Sequence, residues 1–333
     1  HLLACDGSNL SIAKDTNDAS TIWKHNQFGG ITNHLHINAF YDILNRVYTD
    51  VIVQTASEYH EHRACIQMIE RSNLKNVILI ADRGYESYNL MAHVQEKGWK
   101  YLIRIKDIHS SGIACGLDLP DRDVFDVAIE LNLTTRQTKE VKKLCQNRNR
   151  YRFVPIGHAF DFLPRENRKH DPVVFYPLPF RIVRFKISDA AYETVVTNLG
   201  AEEFPPDELK RLYGMRWGIE TSFRELKYTV GLLHFHAKKV ENITQEIFAR
   251  LIMYNFTELI TSHVVIQKLN RKYPCKANFS VAVQVCRQFL LGNISPPDVE
   301  ATISRNVSVT RTGRSNPRNM VVKHAVSFLY RVA

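Results

Sequence analysis

The stretch Val77-Ile78-Leu79-Ile80-Ala81-Asp82-Arg83-Gly84-Tyr85 decides the fold. Its first five residues form an unbroken apolar run, which is typical of a strand buried on both faces of a sheet. The run ends abruptly at Asp82, and a helical pattern (87–97) and a strand-like stretch (99–106) follow. This alternation predicts an α/β domain with a mixed sheet.

The residues before this stretch carry the same alternation. Leu2 to Asp6 reads as a short strand that ends at an acid, and His34 to Phe40 and Val47 to Thr55 have strand patterns. Glu61 to Glu70 has helical spacing. We therefore predict that residues 1–106 form the first part of the core.

After residue 106 the predicted secondary structure changes twice, first to mainly strands and then to mainly helices. Between 107 and 199, proline clusters and strand-like segments predict a β-rich insertion. The insertion contains a basic stretch from Arg136 to Arg152, which is either a mobile solvated loop or a loop that contacts phosphates. Residues 200–300 are predicted to be helical, with one helix from Pro205 to about Val230 and others over 244–269 and 281–291. After Glu300 there is no acidic residue, which predicts a basic C-terminal segment over 301–333.

The charge of the chain favours a polyanionic partner. Its 333 residues contain 44 Lys and Arg against 34 Asp and Glu, a net charge of 44 − 34 = +10. Because neutralised phosphates release condensed counterions, such an excess favours nucleic acid, although a basic protein without such a partner is the alternative. The chain opens at His1 without an initiator Met, so we expect a fragment.

The sequence gives no sign of secretion or of a membrane. The six cysteines are scattered and form no C-x-x-C pair, so reduced thiols in a cytosolic compartment are expected. No apolar run approaches the ~20 residues that span a bilayer, and no signal peptide is visible. We expect no membrane association.

Three acids are placed where a metal site could form. Asp6 and Asp82 end predicted strands, and acids at strand ends point into the crevice where α/β folds build their sites. Glu220 lies inside the predicted helix. Converging carboxylates are what a two-metal phosphoryl-transfer site requires. The alternative for each aspartate alone is an ordinary turn or cap residue.

The predicted helix over 205–230 places four functional side chains on one arc. At ~100° per residue, Tyr213, Arg216, Glu220 and Lys227 fall at about +60°, 0°, +40° and +20° around a continuous helix axis. The arc borders the buried stripe, where charges must find partners. The alternative is an i,i+4 ion pair between Arg216 and Glu220 on an ordinary surface helix.

These motifs resemble those of a known family. Tyr213-Gly-Met-Arg216-Trp-Gly-Ile-Glu220-Thr-Ser-Phe-Arg-Glu-Leu-Lys227 has the Y-x2-R-x3-E-x6-K spacing of DDE transposases of the insertion-sequence-four group. Cys5-Asp6-Gly7-Ser8 is similar to that family's first aspartate motif, and Ala81-Asp82-Arg83-Gly84-Tyr85 to its second. The resemblance extends from His1 to about Leu233.

The resemblance implies a fold, a cofactor and partners. The fold would be RNase H-like, a mixed sheet flanked by helices, with the β-rich insertion before the helix that carries the glutamate. Asp6, Asp82 and Glu220 would hold two Mg²⁺ or Mn²⁺ ions. The partners would be transposon-end and target DNA and a second copy of the chain in a synaptic dimer, and the location the cytoplasm of a prokaryotic host, in association with the nucleoid.

It also implies roles for the neighbouring side chains. Tyr213, Arg216 and Lys227 would contact DNA phosphates near the cleavage point. Two further roles are expected from position and not from the resemblance. Arg83, beside Asp82, would balance its charge or touch a phosphate, and Trp217, which is not a signature position and lies off the shared arc, would pack or stack on a base. The activity would be cleavage and joining of DNA by in-line attack on phosphodiesters.

Two other functions stay open at this point. An RNase H-like nuclease without strand transfer would share the three acids without needing Tyr213, Arg216 and Lys227 in this register. A domesticated DNA-binding protein would keep the fold and lose transposition, which the intact set of three acids argues against.

Overall fold

The computed structural model describes most of the chain, over residues 1–24, 30–155, 160–164, 172–188, 191–266 and 273–309. Most of the predicted basic C-terminal segment, from residue 310 onward, lies outside the described residues.

Strands occur along the whole described chain and are concentrated before residue 200. They run over Leu2–Ile12 (β1), Ile22–Lys24 (β2), Ile31–Asp42 (β3), Val47–Thr55 (β4), Ile78–Ala81 (β5), Lys100–Arg104 (β6), Phe125–Thr134 (β7), Tyr151–Phe153 (β8), Tyr176–Ser188 (β9), Ala191–Thr197 (β10), Cys275–Ala277 (β11) and Val307–Val309 (β12).

Helices separate the early strands and dominate after residue 205. A 3₁₀ turn covers Arg83–Tyr85 and a π-helical turn covers Leu226–Val230. In the described part of the chain, no helix combines the length and the apolar character needed to cross a bilayer. The α-helices are Glu61–Arg71 (α1), Tyr88–Glu96 (α2), Lys139–Leu144 (α3), Pro206–Gly214 (α4), Trp217–Glu225 (α5), Val240–His263 (α6), Phe279–Leu290 (α7) and Pro296–Arg305 (α8).

The chain divides into two compact units that interleave along the sequence. Unit 1 comprises residues 1–6, 38–44 and 60–219, and unit 2 comprises residues 7–37, 45–59 and 220–333. Strands β1 and β3 and helix α5 each contribute residues to both units.

Unit 1 contains a large mixed sheet flanked by helices. Its strands are ordered β1-β5-β6-β10-β9-β7-β8. Strands β1, β5 and β6 are parallel, whereas β10 is antiparallel to both of its neighbours. Helix α2 packs on α1 and on β6, and α4 packs on β9. The predicted mixed α/β architecture is therefore confirmed.

The apolar run that decides the fold forms the centre of this sheet. Leu79 of β5 is paired with Leu3 of β1 on one side and with Tyr101 of β6 on the other. All three side chains are fully buried. A strand with neighbours on both edges and cover on both faces needs apolar residues at every position, which is what the run from 77 to 81 supplies.

Unit 2 combines a small strand group with the C-terminal helices. Strand β2 is antiparallel to β3, and β4 also pairs with β3. Helix α6 packs against α7 and β4, α7 packs against α8, and β11 pairs with β12. Helix α6 begins at Val240 and ends at His263, earlier at both ends than the predicted 244–269.

The prediction of one continuous helix from 205 to about 230 was wrong. Helix α4 ends at Gly214, and α5 begins at Trp217. Between them the backbone makes i→i+3 bonds, since the N–H groups of Met215 and Arg216 donate to carbonyls three residues back, both at 3.0 Å. Glycine is a weak helix former, so the break follows Gly214. The arc calculated for a single helix axis therefore does not hold.

Two further local predictions need correction. Strand β1 does not end at Asp6 but continues to Ile12. The basic stretch from Arg136 to Arg152 is not one loop, because it contains helix α3 and the start of β8. Arg136 is buried, and the guanidinium of Arg152 donates to the carbonyl oxygens of Ile113 and Cys115. These two cations are structural.

Candidate active site

The two predicted aspartates follow paired positions on adjacent strands of unit 1. Cys5 of β1 is the register partner of Ala81 of β5, and each aspartate is the next residue in its chain. Neighbouring strands lie about 4.8 Å apart, so the paired backbone brings the two carboxylates to the same edge of the parallel strands. Asp82 also accepts a 2.6 Å hydrogen bond from the Gly84 N–H, which starts the 3₁₀ turn.

Arg216 is a buried cation beside the first aspartate. The residue is only 5% exposed, and its Nη1 lies 3.7 Å from Oδ2 of Asp6. Its guanidinium carbon lies 5.8 Å from the ring centroid of Tyr213 and 5.4 Å from that of Trp217. The turn between α4 and α5 therefore places the positive charge of Arg216 next to Asp6.

The two aromatic residues around Arg216 differ in exposure. Tyr213 is buried, and burial raises the pKa of its phenol, with the positive charge of Arg216 acting in the opposite direction. The phenol therefore stays protonated at neutral pH and can donate a hydrogen bond. Trp217 is 54% exposed, so one face of its indole is open to solvent.

Two charged residues that were not predicted from the sequence, Arg104 and Glu193, also lie near this edge of the sheet. Ala81 is also the partner of Ile103, so Arg104 follows on β6 beside Asp82. The Nη1 of Arg104 lies 3.5 Å from Oε1 of Glu193 on β10. Burial raises the pKa of Glu193, and the charges of Arg104 and Arg216 oppose that rise. Nothing in the sequence signals this pair, because it depends on β10 lying next to β6.

The remaining signature residues belong to unit 2. Glu220 lies in helix α5 and is partly buried. Lys227 lies in the π-helical turn, and its Nζ donates to Oγ of Ser8 at 2.6 Å and to the carbonyl oxygen of Asn9 at 3.1 Å. Both acceptors are in strand β1. Lys227 thus holds a defined position on that strand.

The donors of unit 1 fit a hard divalent cation. Asp6 and Asp82 offer carboxylate oxygens, which are the ligands that Mg²⁺ and Mn²⁺ prefer. Within either unit, the described residues contain no group of three or more His, Cys, Asp or Glu side chains arranged to hold an ion. The pair of aspartates therefore supplies part of a ligand set.

Arg83 lies at the entrance of a groove in unit 1. It is exposed on the 3₁₀ turn directly after Asp82. The groove has a volume of about 1540 Å³ and extends from this turn along helix α1 and the start of α2. The carbonyl oxygen of Gly84, in the same turn, accepts a 2.6 Å hydrogen bond from Nε2 of His62.

Comparisons with known proteins match this chain to a family model and to solved structures. The family model described as "Transposase DDE domain" matches residues 2–256. Comparison with curated proteins finds no match. The cryo-EM structure of a piggyBac transposase synaptic complex with hairpin DNA is similar at 9% identity, with a TM-score of 0.45 over 95% of this chain and 59% of that chain. This chain thus spans less than two thirds of that protein.

Proposed function

The chain belongs to the transposase DDE domain family, and on that premise we propose that it is a catalytic domain that cleaves transposon-end DNA and joins it to target DNA. The observation that carries the proposal is the placement of Asp6 and Asp82 side by side, after paired positions of two adjacent parallel strands. Both residues lie within the range matched by the family model.

Asp6, Asp82 and Glu220 are the proposed metal ligands. The cofactor would be Mg²⁺ or Mn²⁺, with two ions in the complete site. When bound, such ions supply an activated water or DNA 3′-hydroxyl and stabilise the leaving oxygen of an in-line displacement. The third ligand is proposed from the spacing of the signature residues and from the family.

The signature residues place the chain, in this proposal, in the insertion-sequence-four group with an RNase H-like core. Tyr213, Arg216 and Lys227 have the spacing of that group. Arg216 would hold a phosphate next to Asp6, since its guanidinium lies 3.7 Å from that carboxylate. A planar guanidinium donates to two phosphate oxygens at once.

The neighbouring side chains would orient the DNA strand. Tyr213 keeps its proton and would donate a hydrogen bond to a phosphate oxygen. Trp217 has an open ring face on which a base could stack. Arg83, exposed next to Asp82, would contact the following phosphate.

The proposal includes a division of the chain and an assembly. Residues 1–106 and 200–300 would form the core, 107–199 an insertion and 301–333 a basic segment. Two copies would bring two transposon ends together in a synaptic dimer, in the cytoplasm of a prokaryotic host and in association with its nucleoid.

The test begins with a search for the DNA that the chain binds. A randomised duplex pool is selected on the immobilised chain, and enriched sequences are labelled and incubated with Mg²⁺ or Mn²⁺ and a target plasmid. We expect products with 3′-hydroxyl ends and their covalent joining to the plasmid. Asp82→Asn and Glu220→Gln should abolish both steps while binding persists, and Lys75→Ala, at the opposite end of strand β5, should change neither.

The two alternative functions give different outcomes in the same assay. Cleavage without joining would favour an RNase H-like nuclease. Sequence-selective binding without cleavage in either metal would favour a domesticated DNA-binding protein. Cleavage that survives Asp82→Asn would overturn the assignment of the site.

A further inference from the structure

The first turn of helix α1 packs against the 3₁₀ turn that follows Asp82. Helix α1 begins at Glu61. The next residue, His62, donates from Nε2 to the carbonyl oxygen of Gly84 at 2.6 Å. The ring of His62 also stacks on that of Tyr85, with the ring centroids 6.0 Å apart and an angle of 14° between the planes. These two contacts fix the start of α1 next to the turn that carries the second aspartate.

Gly84 leaves a space between two carboxylates. A Cβ atom at this position would lie 3.0 Å from Oδ1 of Asp82 and 3.9 Å from Oε2 of Glu61. Apart from Gly84 and its two neighbours in the chain, these are the only atoms of the described residues within 4 Å of that point. The two oxygens are therefore no farther apart than these two distances taken together. Because like charges that border one space repel each other, the arrangement favours a cation or a hydrogen-bond donor between them.

The phenol of Tyr85 lies within electrostatic reach of both Glu61 and Asp6. Tyr85 is buried, and burial raises the pKa of its phenol well above the ordinary value. The neighbouring Cys5 and Cys65 raise this pKa further, and the negative charges of the two carboxylates also raise it. Glu61 thus lies near both of the predicted aspartates of unit 1.

The placement of Glu61 indicates a contact with an ion through water. Oxygens bound to the same Mg²⁺ are at most about 4.2 Å apart, because each lies ~2.1 Å from the ion. The described residues contain no group of three His, Cys, Asp or Glu side chains that could hold an ion directly. Mg²⁺ dehydrates reluctantly and keeps several waters, and each of these waters needs a hydrogen-bond acceptor. A carboxylate across a small space from a metal ligand is such an acceptor.

We propose that Glu61 positions the ion held by Asp82, by accepting a hydrogen bond from a water bound to that ion, and that Gly84 keeps the space for this water. The inference rests on the proposed function, which assigns Asp82 as a metal ligand. Glu61 is then a positioning residue, since it contacts the ion only through water. Removing an outer partner of this kind lowers metal affinity by about 10–100-fold.

An acid in the first turn of a helix has an ordinary role that must be separated from this one. The positive end of the helix dipole stabilises such a side chain without any ion. That role alone predicts that replacing Glu61 lowers the stability of the fold and leaves the affinity for metal unchanged.

The test measures Mn²⁺ binding to the full chain without DNA, by electron paramagnetic resonance of the free ion. Glu61→Gln keeps the size of the side chain and removes its charge. The matched control is Glu70→Gln, which replaces an exposed acid in the last turn of the same helix. Asp82→Asn reports whether the ion is bound where the proposed function places it. Urea unfolding of each variant in EDTA gives its stability without metal.

We expect Glu61→Gln to bind Mn²⁺ about 10–100-fold more weakly than the wild type, and Glu70→Gln to bind it equally well. Gly84→Ala keeps both carboxylates but fills the space between them, so it should also weaken Mn²⁺ binding by about tenfold or more. Asp82→Asn should remove the binding.

Several results would overturn the inference. Equal Mn²⁺ affinity in Glu61→Gln and Glu70→Gln would do so, and a lower unfolding midpoint of Glu61→Gln in EDTA would then assign the side chain to the helix dipole. Unchanged binding in Gly84→Ala would show that no water occupies the space. Loss of binding in Asp82→Asn but not in Glu61→Gln would refute this inference alone, whereas wild-type binding in Asp82→Asn would refute the proposed metal site as well.

Discussion

A buried carboxyl group in unit 2 makes the stability of the chain depend on pH. Glu258 of helix α6 is 1% exposed, and its Oε1 lies 2.8 Å from Nη2 of Arg46. Burial raises the pKa of Glu258 from 4.5 to about 7, and the nearby charge of Arg46 opposes that rise without cancelling it. The folded chain therefore keeps this proton over a pH range in which the unfolded chain releases it.

The size of the effect follows from the difference between the two pKa values. A rise from 4.5 to about 7 corresponds to about 3 kcal/mol, at 1.36 kcal/mol per pH unit. Since the pKa is higher in the folded state, the stabilisation is complete below pH 4.5 and is lost as the pH rises through 7. Between pH 5 and pH 8 the free energy of unfolding should fall by about 2–3 kcal/mol through this group alone.

Urea unfolding of the wild type and of Glu258→Gln at pH 5 and pH 8 isolates the contribution. Glutamine is neutral at both values, so the variant should gain about 2–3 kcal/mol relative to the wild type on going from pH 5 to pH 8. Glu241→Gln, at the exposed first turn of the same helix, should show no such gain. A difference between wild type and Glu258→Gln that stays constant with pH would refute the reasoning.

Three other substitutions test local features. Gly112→Ala would place a Cβ against the carboxylate of Glu86, which accepts a hydrogen bond from the N–H of Lys106 at 2.8 Å. We therefore expect the free energy of unfolding in urea to fall by about 1–3 kcal/mol, and an unchanged unfolding midpoint would contradict this close approach. Gly231 follows the π-helical turn with φ 95°, a left-handed conformation in which a side chain is strained. Gly231→Ala should lower the free energy of unfolding by about 1–2 kcal/mol in the same measurement, whereas a stabilised variant would exclude the left-handed backbone. Arg216→Lys keeps the charge beside Asp6 but not the planar fork, so DNA cleavage should slow by about tenfold or more with binding largely retained; a wild-type rate would remove Arg216 from the site.

The centre of the sheet could be predicted because its signal is local. The run from Val77 to Ala81 is apolar at every position, and the structure has β5 over Ile78–Ala81 with Asp82 directly after it. The sequence predicts the strand that carries Asp6 but places its end too early, because Gly7, Ser8 and Asn9 are poor strand formers. In the structure β1 continues through them, and Lys227 contacts two of the three.

Gly214 is the feature of the sequence that indicates the break between α4 and α5, but the helical spacing of the neighbouring apolar residues favours a continuous helix. Apolar residues recur at helical intervals on both sides of Gly214, so periodicity alone favours one helix. The glycine was the indication of a break. Because of this break, Arg216 lies next to Asp6 from a turn rather than from a helix.

The contacts of Arg104 and Glu193 could not be predicted from the sequence. They are separated by nearly ninety residues and meet only because β10 pairs with β6 in an antiparallel register. Strand order among non-consecutive strands depends on the packing of the whole sheet, and a single sequence contains no local pattern that specifies it. The groove lining, which combines α1, the 3₁₀ turn, residues 153–155 and residues 160–161, depends on the same long-range packing.

The central claim is that Asp6, Asp82 and Glu220 bind the same divalent ions, and iron-directed cleavage of the polypeptide tests it without a DNA substrate. Fe²⁺ is added in place of Mg²⁺, and ascorbate and peroxide then generate radicals that cut the backbone next to the bound ion. We predict cuts near residues 6, 82 and 220 together, suppressed by excess Mg²⁺ and absent from Asp82→Asn. Cuts near residues 6 and 82 without one near 220, or no cuts that Mg²⁺ suppresses, would contradict the claim.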